Sequence, residues 1–325
     1  MLMKRSLLLA ALSTLAAGSA LAQSTVTVYG RLNETVERQK DAAGDSKTVL
    51  ADNASRLGFK GSEDLGGGLK ANFLIEHRFN ADTGTTNGAF WSGDSWVGLS
   101  SGFGDLRLGR MTSGAYFATA DYVSYHNHDT GSSADALYSL GFQSWVTNNK
   151  ISYTTPSLGG ATVELQYALR ESTTTGNNAV DLAVNYGIGD LALGAGYTKL
   201  GNDKQLAIRG QYTFGAFTLG GYFQRTMLED SAAAYGAPFS DGKANIVRLS
   251  GMYTMGASEF HANVGLAGKV DGVSDTDAKQ FTLGYNYNLS KRTKAYTYYT
   301  KLDAKDATPY ASDFSSIAVG VRHNF

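Results

Sequence analysis

Apolar and polar residues alternate along this chain with a period of two over stretches of about ten residues, which marks strands that show one face to an apolar phase and the other to water. The last nine residues show it plainly. Ile317, Val319, Val321, His323 and Phe325 fall on one face, and Ala318, Gly320, Arg322 and Asn324 on the other. A first strand is predicted over Thr25 to Glu37, with Val26, Val28, Leu32 and Val36 opposed by Thr27, Tyr29, Arg31 and Asn33. In the hairpin that follows, Leu57, Phe59 and Gly61 oppose Arg56, Gly58, Lys60 and Ser62. Asp64 to Gly68 then turns into Leu69, Ala71, Phe73 and Ile75, with Lys70, Asn72, Glu76 and Arg78 on the other face. Similar hairpins are predicted at Ser95 to Met111, Lys150 to Arg170, Asp181 to Lys199, Gln205 to Arg225, Asn245 to Ala267 and Lys279 to Leu302. With the final strand the total is about sixteen, an even number that brings both chain ends to one rim.

A soluble sandwich also alternates, so periodicity alone does not separate it from a membrane barrel. Other features decide. Met1 to Ala22 carries Lys4 and Arg5, an apolar run from Leu7 to Ala17 and the small-residue ending Ala20 Leu21 Ala22, the form of a cleaved secretory signal peptide. No later stretch reaches the ~20 apolar residues of a spanning helix. The connections come in two kinds, short and glycine-rich or long and polar, as in outer-membrane barrels. The chain stops on Phe325, where a barrel needs an aromatic at the bilayer interface to end its closing strand. The expected fold is therefore all-β, a 16-stranded antiparallel transmembrane β-barrel with short periplasmic turns and long extracellular loops. Residues 1–22 are the signal peptide and 23–325 a single barrel domain.

Composition narrows the function. The 39 glycines and 19 tyrosines suit tight turns and interfacial rings, and the three prolines, Pro156, Pro238 and Pro309, fall in turns or loops. With no cysteine, disulfide staples and thiolate zinc sites are excluded. The 28 basic and 29 acidic residues give a net charge of −1, and loss of Lys4 and Arg5 with the leader takes it to about −3. That balance suggests no nucleic-acid partner.

Ser55 to Ala71, Val97 to Ser100, Leu108 to Arg110, Tyr153 to Pro156, Leu289 to Thr293 and Val319 to Phe325 resemble, in order and spacing, the general porins of beta-proteobacteria. The resemblance spans essentially the whole mature chain. It implies a trimeric outer-membrane channel of a Gram-negative bacterium, contacting outer-membrane lipid and lipopolysaccharide and passing ions and small hydrophilic solutes. A constriction by the third loop is likewise implied.

That loop is the longest gap between strands, residues 112–147 after the fifth strand, and loops of such length are usually functional. It holds no lysine or arginine but has Asp121, Asp129 and Asp135 with His126 and His128. Facing it, the candidate wall residues are Arg31, Arg56, Lys60, Lys70, Arg78 and Arg107. Charges lining a narrow low-dielectric cleft steer counter-ions into it. The basic residues have a second reading, as partners of inward carboxylates such as Glu76 and Glu164. Anion-selective relatives place basic residues at positions that align with Lys60, Asp94 and Val146. Only Lys60 is basic here, with Arg31 able to compensate, so the expected anion preference is weak.

Other chemistry is not expected. His126 and His128 could bind a metal with Asp121 or Asp129 as a third ligand, but two histidines in a polar loop are more often solvated, and the three aspartates lack the dense oxygen spacing of a calcium loop. Gly98 Leu99 Ser100 Ser101 Gly102 spells a nucleophile elbow, but a strand rather than a helix is predicted after it. Asn33 Glu34 Thr35 is a glycosylation sequon by spelling only. No catalytic residue, cofactor or metal is expected. The alternative to a general pore is a channel specialised for a sugar or organic anion, with a barrel enzyme or adhesin further behind.

Overall fold

Each predicted alternating stretch becomes a strand, and the strands close into a ring. The computed structural model describes residues 24–122, 131–134, 136–137, 147–172, 177–229, 241–271, 273–305 and 312–325; the leader Met1 to Ala22, Asp129, Asp135, His126, His128, Val146, Pro238 and Pro309 lie outside them. The strands are β1 (Thr25–Lys40), β2 (Ser46–Asp52 continued by Arg56–Gly66), β3 (Leu69–Asn80), β4 (Ser95–Ser101), β5 (Gly104–Met111), β6 (Thr147–Thr154), β7 (Ala161–Ala168) and β8 (Ala179–Ile188). The second half adds β9 (Leu191–Leu200), β10 (Asp203–Phe214), β11 (Phe217–Leu228), β12 (Gly242–Met255), β13 (Ser258–Ala267), β14 (Ala278–Asn288), β15 (Thr293–Ala304) and β16 (Phe314–Asn324). Every neighbouring pair is antiparallel, and β16 pairs back onto β1. A two-residue ladder at Thr85–Thr86 lies in the β3–β4 connection, outside the wall.

The ring closes as the terminal residues predict. Gly30 and Phe325 exchange backbone hydrogen bonds at 3.1 Å in both directions. A Cβ at Gly30 would lie 2.4 Å from the Phe325 ring, so only glycine admits the terminal aromatic there.

Burial runs opposite to that of a soluble sandwich. Outward positions are apolar yet exposed, as at Val26 (67%) and Val28 (54%), while inward Asn33 and Glu37 are fully buried. Such an outer face is stable only against hydrocarbon. Near the short-turn rim Tyr212, Phe214, Phe217, Tyr253, Phe260 and Tyr285 form an unbroken outward series of rings, with neighbouring centroids 4.7 to 6.3 Å apart, the place of an interfacial girdle.

Two strand bounds differ from the sequence expectation. β1 continues three residues past Glu37 to Lys40, and β2 begins at Ser46, well before Arg56. Arg31 pairs with Arg56 but Glu34 with Asp52, so β2 carries one extra residue between these pairs. A bulge of this kind moves every later side chain to the other face. The even positions Leu50 and Asp52 face outward, whereas Arg56, Gly58 and Lys60 face inward, and the alternation that marks the strand is lost at the break.

Candidate functional site

Register sets the inward bases side by side. Arg31 on β1 stands opposite Arg56 on β2, and Arg56 opposite Arg78 on β3. Like charges directly opposite destabilise a sheet, and two acceptors offset this. Glu76, 6% exposed, accepts from Arg78 Nε at 3.1 Å and Tyr29 Oη at 3.2 Å, and its Oε1 lies 3.8 Å from Arg56 Nη1. The second acceptor comes from the bulge. Ala54, at φ 60°, has its carbonyl within 3.1 to 3.3 Å of Arg31 Nε and Nη2 and Arg56 Nε. The segment just before β4 then closes over Glu76, where a Cβ on Gly93 would meet Glu76 Oε1 at 2.6 Å.

Toward the short-turn rim lies a second group. Arg107 Nη2 is 2.6 Å from Glu164 Oε1, and its guanidinium lies 5.5 Å from the Trp96 ring centroid. Lys60 Nζ lies 5.3 Å from the Tyr29 ring. Lys60, Trp96 and Arg107 line a recess of about 620 Å³ with Thr27, Ser62 and Asn72. Among the described residues Lys60 has no ion-pair partner. Lys70 sits exposed at the rim, opposite Asp64. All six candidate bases thus fall on inward positions. Three of them meet the carboxylates Glu76 and Glu164.

The described parts of the third loop lie against inward faces. Asp94 holds its start, accepting from Thr112 N at 2.9 Å and Thr112 Oγ1 at 2.8 Å. Ser113 caps α1 (Gly114–Ala118), accepting from Tyr116 N at 3.1 Å and donating to Asp181 of β8; Asp181 also accepts from Ala115 N at 2.8 Å. Two inward glycines of β9 make the seat for this turn. A Cβ on Gly194 would lie 1.8 Å from the Ala118 carbonyl oxygen, and one on Gly196 would lie 2.6 Å from Ala115 Cβ. Arg209 of β10 donates to the Ala118 carbonyl at 2.9 Å. Asp121 follows in a 3-10 turn, Ala120–Tyr122, about half-way round the ring from the row of arginines.

The later part of the loop reaches the other side. Ser132 donates to Glu37 of β1 at 2.6 Å and lies 2.8 Å from Tyr298 Oη of β15. Ala136 N donates to Gln280 of β14 at 2.9 Å, and Leu137 is fully buried among Leu228, Ile246, Ala267 and Leu302. Glu37 is the anchor, accepting also from Thr35, Gln39, Tyr298 and Ser316 at 2.7 to 3.0 Å.

Several inward charges escaped the sequence reading. Lys294 of β15 stands opposite Arg322 of β16, and Arg322 opposite Asn33, which extends the basic row beyond Arg31. Lys150 donates to Gln166 at 2.6 Å, and Arg248, 1% exposed, to Asn263 at 2.8 Å. The same period-two parity that marks Arg56 and Lys60 marks these residues. The anchoring roles of Asp94 and Asp181 carried no signal in the sequence, because their partners are loop atoms. Ser100 accepts from Asn72 at 2.7 Å, and a two-residue turn and β5 follow it, which is not the helix that a nucleophile elbow requires.

The comparisons with known proteins agree with this geometry. Residues 8–307 match the model of the Gram-negative porin family. The chain is 34% identical over 374 aligned residues to outer membrane porin protein 32 of Delftia acidovorans, covering 99% of this chain and all of that one. It is 28% identical to an outer membrane porin protein of Bordetella pertussis, over 99% of this chain and all of that one. Among solved structures it is similar to the anion-selective porin from Comamonas acidovorans, with a TM-score of 0.80 and 30% identity over 93% of this chain and all of that one. The fold is also shared, at 15% identity and a TM-score of 0.71 over 93% of this chain and 99% of that one, with the trimer form of OmpT of Vibrio cholerae. The chain belongs to the Gram-negative porin family and is an outer-membrane protein that spans the bilayer as a closed 16-stranded β-barrel.

Proposed function

We propose that this porin is a general diffusion pore with weak anion preference, narrowed where the third loop faces the row of arginines. The observation that carries the charge preference is the row itself, in which Arg31, Arg56 and Arg78 stand side by side and Glu76 meets Arg56 and Arg78, and Lys60 stands without an ion-pair partner among the described residues. Inward charge of one sign attracts counter-ions into a low-dielectric channel. The similarity to a solved anion-selective porin supports the same sign. Arg31, Arg56, Lys60, Arg78 and Arg107 line the narrow zone, Lys70 its rim, and Asp121, Asp129 and Asp135 give the loop its opposing charge. Solutes move down their own gradients, without a cofactor and without catalysis.

The working form is a homotrimer in contact with lipid and lipopolysaccharide, exported by the cleaved leader 1–22. A sugar-specialised channel is less well supported. It needs a ladder of accessible rings, whereas the inward Tyr222, Tyr296 and Tyr298 are buried, with hydroxyls bonded to Gln224, Asn33 and Glu37. Liposome swelling with neutral sugars of increasing size and with size-matched carboxylates tests this reading. Rates that fall smoothly with size, with carboxylates modestly faster, are expected. Saturation by a single solute class would replace the general pore with a specialised one.

A further inference from the structure

An indole on the inner wall of a barrel is out of keeping with a lumen of small and polar residues. On β4 the outward positions are the exposed Val97 and Leu99, so Trp96, Gly98 and Ser100 look inward. Register places Lys60, Leu74, Trp96 and Gly109 side by side on β2 to β5. The next inward level toward the short-turn rim carries Ser62, Asn72, Gly98 and Arg107 on the same strands. The recess of about 620 Å³ opens on these two levels. Its wall is apolar at Leu74 and Trp96, and the glycines beside and below Trp96 leave the space before it unfilled by any side chain of their own.

The charges around the recess are uneven. Arg107 is engaged, with Nη2 2.6 Å from Glu164 Oε1 and its guanidinium 5.5 Å from the Trp96 ring centroid. Asp105 stands opposite Ser100 on that same β5 side, and Lys70 at the rim has Asp64 directly opposite. Lys60, on the β2 side, is exposed and has neither an ion pair nor a hydrogen bond among the described residues; its Nζ lies 5.3 Å from the ring of Tyr29, whose hydroxyl donates to Glu76. One unspent cation therefore faces an apolar wall across two strand spacings, about 10 Å, with carboxylates beyond it. We propose that this recess is a binding subsite for aromatic monocarboxylates, with the carboxylate on Lys60 Nζ and the ring against Leu74 and Trp96. The ammonium and the carboxylate form a charge-assisted hydrogen bond, and the ring gains apolar and edge contact with the indole. Asp105 and Glu164 repel the carboxylate from the β5 side and so fix the orientation. A dicarboxylate would point its second charge at those same acids, and a neutral sugar would leave Lys60 unpaired. A wall site of this kind enriches one class of anion without closing the pore to other solutes. Entry of solute into the lumen is required, so the subsite rests on the open-pore reading.

Equilibrium dialysis of radiolabelled benzoate against the folded, full mature protein in detergent, with protein-free micelles as the blank, tests this assignment. Saturable binding at one site per chain is expected. Unlabelled benzoate should displace the label at least about tenfold better than acetate, which lacks the ring, or benzyl alcohol, which lacks the charge. Lys60→Gln should weaken benzoate binding by about tenfold or more. Trp96→Leu should weaken it by about fivefold and narrow its advantage over acetate. Folding of each variant is read from the gel mobility of unheated samples, and if Trp96→Leu does not fold, Lys60→Gln, which alters an exposed side chain, carries the test. Unaltered benzoate binding in either folded variant, equal displacement by acetate or benzyl alcohol, or no saturable binding would each overturn the proposal. Dialysis needs no current, so the two readings fail separately: conductance without benzoate binding would remove the subsite and keep the pore, whereas binding without conductance would keep the subsite and remove the open pore.

Discussion

Glu76 is the residue on which the charge row depends. It is nearly buried and shared by Arg56, Arg78 and Tyr29, so removing its charge leaves two adjacent guanidinium groups uncompensated. Glu76→Gln should shift the zero-current potential in a salt gradient further toward anions. It should lower stability by about 1 kcal/mol, a modest figure because both arginines are partly in water. A bilayer measurement paired with a denaturant titration checks both effects, and an unchanged potential would remove Glu76 from the conducting wall. Lys60→Glu makes the opposite change at a base with no ion-pair partner among the described residues. It should move the potential toward cations, and an unaltered permeability ratio would take Lys60 off the list of pore-lining residues.

At the scale of elements, the third loop is held at several separated places: Asp94 at its start, Asp181, Arg209 and the two glycines of β9 at α1, and Glu37 and Gln280 farther on. The glycines set how closely α1 approaches the wall. Gly194→Val puts a side chain where the Ala118 carbonyl now lies, an overpacking that costs about 1–3 kcal/mol and is relieved by moving the turn. Single-channel recordings should then show altered mean conductance and broadened open-state noise, and an identical trace would mean that the loop does not narrow the pore at α1. The closing seam is a second element-level test. Phe325→Ala removes the ring packed on Gly30 and should cost about 1 kcal/mol for a half-exposed ring. The folded fraction, read from the gel mobility of unheated samples, should fall below that of the parent.

For the molecule as a whole, the fold was legible because a barrel wall repeats one simple rule, apolar out and polar in, through sixteen strands, and the terminal Phe325 marked the closure. The rule failed where the backbone leaves it. The extra residue between Asp52 and Arg56 reverses the parity of β2, so the segment from Ser46 could not be joined to the hairpin by alternation. The inward bases of the first strands were legible for the same reason that the fold was, and Glu76 and Glu164 were named as possible partners. Which base meets which carboxylate depended on register between strands, which no single strand encodes. The anchoring roles of Asp94, Asp181 and Glu37 were not legible, since each depends on where a distant loop folds back.

A water-filled pore whose inner wall keeps a small excess of positive charge has a direct electrical signature. Single-channel conductance together with the zero-current potential of the refolded mature chain, measured in a planar bilayer across a potassium chloride gradient, tests it most directly. Stepwise ohmic conductance is expected, with a small potential of the sign set by chloride movement. A potential of the opposite sign would contradict the charge balance read from the arginine row, and absence of conductance from the folded protein would contradict the open pore itself.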